Sequence, residues 1–90
     1  MSGGNASPVV NNAALHRYEL TADGGVAYLE YSMQEGRISL DHTYVPDIMR
    51  GKGAGAVLVR AALEEAKHSG WSIVPQCTFV AAFLRKHAAS

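Results

Sequence analysis

The sequence predicts a single α+β domain in which an antiparallel meander is followed by an α-β-α run. Three observations lead there. The chain has 90 residues, 48% of them apolar and 18% charged, the composition of one compact globular domain and not of a disordered segment. Residues 15–45 hold three β-rich stretches separated by the turn signals Asp23-Gly24-Gly25 and Glu35-Gly36. From Gly53 onward the apolar spacing changes from two to three and four, the signature of a helix.

Taken in order, residues 1–13 are small and polar, with Gly3-Gly4, Pro8 and Asn11-Asn12, and read as a flexible leader ahead of a domain spanning residues 14–90. His16 to Leu20 form a first strand and Val26 to Tyr31 a second, joined as a hairpin. Arg37 to Val45 alternate, so Ile38, Leu40, His42 and Tyr44 share one face and Ser39, Asp41 and Thr43 the other. Pro46 ends that strand and a loop follows to Lys52. In the helix, Ala54, Val57, Leu58, Ala61, Ala62 and Ala66 form the apolar stripe. Arg60, Glu64, Lys67 and His68 form the polar one, with Arg60 and Glu64 an i,i+4 pair. Gly70 is a natural helix stop. Trp71 to Cys77 form a short strand that Pro75 makes an edge, a bulge or a strand end. Thr78 caps a last helix with Val80, Phe83 and Leu84 on its buried side and Arg85, Lys86 and His87 in its final turn, where positive charge suits the dipole.

Composition also restricts function. Eight Lys and Arg balance eight Asp and Glu, so the chain lacks the basic excess that drives binding to nucleic acid or to an anionic membrane. The chain is too short for a two-domain enzyme or for the two βαβ halves of a dinucleotide-binding domain. Cys77 is the single cysteine, which rules out an internal disulfide and suits a reducing cytoplasm. The first residues lack a basic region and an apolar core, so they do not read as a signal peptide, and no apolar run approaches the roughly 20 residues of a membrane span. A domain this small buries little more than about 60% of its unfolded surface. It is expected as a monomer or weak dimer that a bound cofactor stabilises.

The most informative segment is Arg50-Gly51-Lys52-Gly53-Ala54-Gly55, between a strand and a helix. Glycines here leave the backbone N–H groups of the first helical turn accessible, and the helix dipole adds positive character. Such a loop can cradle a phosphate or pyrophosphate. Close helix–strand packing or a plain turn is the bland alternative. The P-loop pattern fails, because Gly53 follows Gly51-Lys52 where Ser or Thr is needed. The dinucleotide fingerprint matches weakly as Gly51-x-Gly53-x-x-Ala56 but lacks its acidic residue about 20 positions on. A third pattern, Q/R-x-x-G-x-G/A, is met at every fixed position by Arg50-x-x-Gly53-x-Gly55.

That third pattern is the pyrophosphate loop of the GNAT superfamily of N-acetyltransferases. The stretch from about Leu40 to His87 resembles its small, single-domain members with a V-P-x-C cysteine segment. The resemblance is carried by His42-Thr43-x-Val45-Pro46, by Arg50 to Gly53, by Leu58, Ala62 and Leu63, by Val74-Pro75-x-Cys77-x-Phe79-Val80 and by Phe83 to His87. It implies a trimmed acyl-CoA N-acyltransferase fold that binds acetyl-CoA. The strand before the loop and the strand after the helix would run parallel but splay apart, admitting the pantetheine arm to backbone near Val45. Arg50 and the amides of Gly51, Lys52, Gly53, Ala54, Gly55 and Ala56 would hold the pyrophosphate. This chain departs from the family at Tyr44, where a glutamate is common, and so lacks a carboxylate that the resemblance would offer as base.

Cys77 directly precedes a helix, where a thiolate is stabilised and its pKa drops. The resemblance sets it near the acetyl group, so it can accept acetyl and pass it on. The alternative is a small buried hydrophobe. His42 is the candidate general base, since an imidazole can take a proton from a thiol or amine; the alternative is a satisfied histidine on the strand's inner face. His16, His42, His68 and His87 are scattered, so no metal site is expected. Arg60 and Lys67 could meet the adenosine 3′-phosphate, and Lys86 and His87 could lie near the coenzyme, but a solvated face is the default for each. The resulting expectation is an N-acetyltransferase acting on an amine. Two rivals stand beside it: a non-catalytic module for CoA or acyl-CoA, and a nucleic-acid module using Arg50 and Lys52, which the zero charge balance disfavours.

Overall fold

The computed structural model describes residues 8–88, and residues 1–7 of the expected leader lie outside them. Five strands form one sheet in sequence order: β1 (Val9–Asn12), β2 (Arg17–Ala22), β3 (Gly25–Gln34), β4 (Arg37–Tyr44) and β5 (Ser72–Pro75). The first four are antiparallel, and β5 joins β4 in parallel after the helix α1 (Ala54–Ser69). A second helix, α2 (Thr78–Ala88), closes the chain. This is the α+β arrangement the sequence predicts, a meander followed by α-β-α.

The leader boundary needs correction. Val9–Asn12 are not a loose leader but a fourth meander strand, paired with Arg17–Leu20. Two side-chain contacts far along the chain anchor it. Tyr31 donates to Asn11 Oδ1 at 2.7 Å, and Asn11 Nδ2 donates to Glu65 of α1 at 3.1 Å. Buried Tyr18 donates to the same carboxylate. Burial first, and then the Glu65 carboxylate, hold that phenol far above the ordinary tyrosine range.

The core lies between the sheet and α1. Leu58, Val59, Ala62 and Ala66 meet Ala27, Leu29, Tyr31, Ile38 and Leu40, and Val80 joins from α2. Each fully buried aliphatic side chain contributes about 1.5–3 kcal/mol. The helix ends at Gly70, where Trp71 N–H returns to Ala66 O at 2.9 Å. The expected Arg60–Glu64 pair gives way to another: Glu64 bonds His68 at 3.3 Å, while Arg60 leans over the Phe83 ring. No helix among the described residues is long and apolar enough to cross a membrane.

Strand β4 corrects the expected alternation. Tyr31 pairs with Leu40 but Glu30 pairs with His42, so Asp41 is an extra residue, a β-bulge. Before the bulge, Ile38 and Leu40 face the helices and are buried. Beyond it Thr43 sits opposite buried Leu29, while His42 and Tyr44 sit opposite Glu30 and Tyr28 on the uncovered side. There the Tyr28 and Tyr44 rings lie 5.2 Å apart, and Arg17 stands 4.3 Å over Tyr28. Asp41 is held on that face by Ser32 and Ser39, at 2.9 and 2.5 Å. His42 and Tyr44 therefore do not share the face of Ile38 and Leu40.

Candidate functional site

The loop from Pro46 to Gly53 decides the shape of the site. A short 3-10 turn at Asp47–Met49 sinks Met49 into the core and throws Arg50 out into extended backbone. Gly51 and Gly53 then adopt φ of +77° and +78°, a region L side chains rarely occupy, with nothing within 4 Å of where a Cβ would stand. Gly53 is the N-cap of α1 and supplies no side-chain cap. The first-turn amides therefore lack the partner that Ser, Thr, Asp or Asn would give them.

These amides open on a groove of about 750 Å³ between α1 and α2. Its near wall is Thr43 and Val45 of the β4 end with Gly51, Gly53, Ala54, Gly55 and Ala56 of the loop and first turn. Arg50 stands at the rim, its Nε 3.2 Å from Asp47 and 3.5 Å from Val45 O. The far wall is aromatic and basic. Phe79 and Phe83 line it with Lys86 and His87, the His87 ring stacks on Phe83 at 4.2 Å, and Arg60 Cζ is 5.7 Å from the Phe83 ring centre. Gly55 has a different role from its neighbours. A Cβ there would come within 2.8 Å of Phe79, so this glycine lets the two helix starts close up.

Beside the groove the parallel strands part. The last rung is Cys77 N–H to Leu40 O at 2.9 Å, after which residues 41–44 of β4 have no partner in β5. Cys77 stands at this fork. Its carbonyl accepts from Ala81 at 3.0 Å, so Cys77, and not Thr78, is the residue that caps α2. Its sulfur is partly buried and lies 3.5 Å from Thr43 Oγ1. Burial pushes the thiol up, but hydrogen bonds from Thr43 and from the backbone N–H groups of Val80, Phe79 and Thr43 outweigh it. The net pKa lies below the ordinary thiol value.

The structure thus gathers most of the sequence-predicted residues and parts two of them from the rest. Val45, Arg50, Gly51, Gly53, Ala54, Gly55 and Ala56 line one groove, and Cys77 touches Thr43 in its wall. Lys52 is not in the wall: its Nζ reaches Asp23 of the β2–β3 turn at 3.0 Å. His42 lies across β4 on the uncovered face, away from the Cys77 thiol's partners. Of the outlying basic residues, Arg60, Lys86 and His87 line the groove and Lys67 does not. Thr43, Met49, Phe79 and Phe83 also line the groove, and none of them stands out in the sequence as a site residue. For the two phenylalanines the signal was their i,i+4 spacing on α2 beside the glycine loop. Among the described residues, no three His, Cys, Asp or Glu side chains gather as metal ligands would.

The profile of the GCN5-related N-acetyl-transferase family matches residues 17–90, from the start of β2 through α2. The chain belongs to that family. The match makes the protein an N-acetyltransferase by class, an acyltransferase among the transferases. Within this GCN5-related chain β2 to β5, the loop and both helices fall inside the matched stretch; among the described residues β1 and the 3-10 turn Ala13–Leu15 precede it.

Proposed function

We propose that this GCN5-related chain binds acetyl-CoA in the groove between α1 and α2 and passes the acetyl group to an amine. The observation that supports this best is the left-handed pair Gly51 and Gly53 beside the uncapped start of α1, on one groove with a free strand edge whose Thr43 touches the Cys77 thiol. Amides of residues 51–56 and Arg50 suit a diphosphate. The β4 edge near Val45 suits an extended amide-bearing arm, as an added strand would. The aromatic and basic far wall, with Arg60 and Lys86, suits an anionic nucleotide end.

Cys77 is proposed as the acyl acceptor. Its thiolate attacks the thioester carbonyl carbon, the bond from that carbon to the coenzyme sulfur breaks, and the coenzyme thiolate leaves and takes up a proton. A neutral amine then attacks the acetyl-cysteine, releasing the Cys77 thiolate. Thr43 and the α2 amides hold that thiolate in both steps. The proton the amine loses on acylation goes to solvent at the mouth of the fork; His42, the base expected from sequence, lies on the opposite face of β4 from the thiol and is given no part in this step. The lone thiol supports a reducing compartment such as the cytoplasm, and the small core supports a monomer or weak dimer.

Incubation with acetyl-CoA, followed by coenzyme release and intact mass, tests the reading. One acetyl group per chain, absent in Cys77→Ala, is the expected result. A second reading, a non-catalytic CoA or acyl-CoA module, is favoured by the uncovered sheet face, which walls in no acceptor. Tight coenzyme binding with no acetyl transfer to the protein or to a panel of amines would decide for it.

A further inference from the structure

The contact of Lys52 with Asp23 belongs to a larger junction between two loops that are distant in sequence. Asp23 and Gly24 both have positive φ, +54° and +81°, and make the tight β2–β3 turn. At Gly25, next in the chain, a Cβ would come within 3.0 Å of Ile48 Cγ2 and 3.2 Å of Pro46 Cγ. Pro46 and Ile48 belong to the segment that leads into the glycine loop. So one turn touches that loop twice: Gly25 admits its apolar start, and Asp23 holds its lysine at 3.0 Å.

Lys52 sits between the two left-handed glycines, Gly51 and Gly53, whose own backbone lines the groove. Fixing its side chain outside the groove fixes the peptide units on both sides of it. Glycine-flanked backbone has the largest conformational entropy to lose on ordering, and a preorganised loop binds more tightly because that loss precedes binding. We propose that the β2–β3 turn is a clasp for the glycine loop, with Asp23, through Lys52, and Gly25, through Pro46 and Ile48, as positioning residues for the coenzyme diphosphate. The role assigned to the groove rests on the acetyl-CoA reading; the clasp itself does not.

Two measurements separate them. In the ligand-free protein, backbone 15N order parameters at residues 51–53 are expected to fall in Asp23→Asn, which keeps a turn-favouring residue and removes only the charge. Coenzyme A titration of the same variant should show affinity about threefold to fivefold lower, the range an exposed ion pair supports. The loss should appear in KM for acetyl-CoA and not in kcat, should be partly restored in Asp23→Glu, and should shrink in high salt. Lys52→Met should weaken binding by the same factor, and the double variant by no more than either alone. Gly25→Ala, which displaces Pro46 or Ile48, should weaken binding further, about tenfold, from the close contact it creates. Unchanged order parameters in Asp23→Asn would overturn the clasp. So would tighter coenzyme binding in that variant, since Asp23 would then be competing for Lys52, or a Lys52→Met loss far beyond that of Asp23→Asn, since Lys52 would then touch the coenzyme. Absence of coenzyme binding in the parent chain would refute the acetyl-CoA reading while the order parameters still decide on the clasp.

Discussion

The starts of α1 and α2 lie against one another across Gly55 and Phe79, yet they use the same physics in opposite ways. Each presents a turn of backbone N–H groups and the positive end of a helix dipole. At α1 the cap is Gly53, which supplies no side chain, so the donors face a groove. At α2 the cap is Cys77, whose sulfur takes the amides of Phe79 and Val80 for itself. A helix start left uncapped is suited to an anion that comes and goes; one filled by sulfur is suited to making that sulfur an anion. The contrast depends on one side chain at each cap, and it can be broken at either.

The largest effect is expected at Gly53→Val. A β-branched side chain at φ +78° costs about 1–3 kcal/mol and turns the loop amides away. Coenzyme A affinity measured calorimetrically should fall on the order of a hundredfold or more, while circular dichroism retains the helix signal. Unaltered affinity would refute the assignment of these amides to a diphosphate.

At the other helix, Cys77→Ala and Cys77→Ser should both abolish acetylation of the protein by mass spectrometry but differ in stability. Alanine removes the cap and should cost about 1 kcal/mol in denaturant titration; serine keeps a cap acceptor and should cost less. Equal stability of the two would show that the sulfur does not cap α2.

The lowered Cys77 pKa gives a smaller, pH-dependent effect. Its folded value lies below its unfolded value, so the thiolate contributes stability in full above the unfolded pKa of about 8.5 and loses it as pH falls through the folded one. The stability gap between the parent chain and Cys77→Ala should therefore widen from about pH 7 to about pH 9. The pH midpoint of iodoacetamide alkylation should fall below that of a free cysteine. The smallest effect is expected in Thr43→Val, which removes one donor at 3.5 Å and should move that midpoint upward, leaving the α2 amides in place. A midpoint that does not move would assign the lowered pKa to the helix start alone.

What could be read from sequence follows from how local each cause is. Glycine spacing, the switch of period at Gly53 and the stop at Gly70 all depend on neighbours within a few residues; the parallel pairing of β5 with β4 does not, and only the family resemblance implied it. The bulge at Asp41 does not: Arg37 to Val45 alternate without interruption, and only the count of partners across on β3 shows the extra residue. His42 was therefore expected on the inner face, and Thr43 was not singled out. β1 was hidden for a similar reason. Its Asn11 resembles a turn residue until Tyr31 and Glu65, far along the chain, satisfy both ends of its amide. Lys52 reads as a phosphate ligand from its place among glycines, and only the β2–β3 turn reveals its partner.

The bulge makes β4 a partition whose two sides are addressed by residue number. Thr43 serves the thiol side, His42 and Tyr44 the open side, and Asp41 is the spacer that sets the assignment. Losing the Asp41 codon would remove the spacer and one carboxylate, yet leave Leu40 opposite Tyr31 and His42 opposite Glu30, now as consecutive rungs of an unbroken ladder. Thr43 would keep the thiol side, and His42 and Tyr44 the open side. For this strand the side a residue faces is counted from the partner strand and not along its own sequence, so an in-frame deletion of Asp41 is a milder change to the site than the shift in numbering suggests.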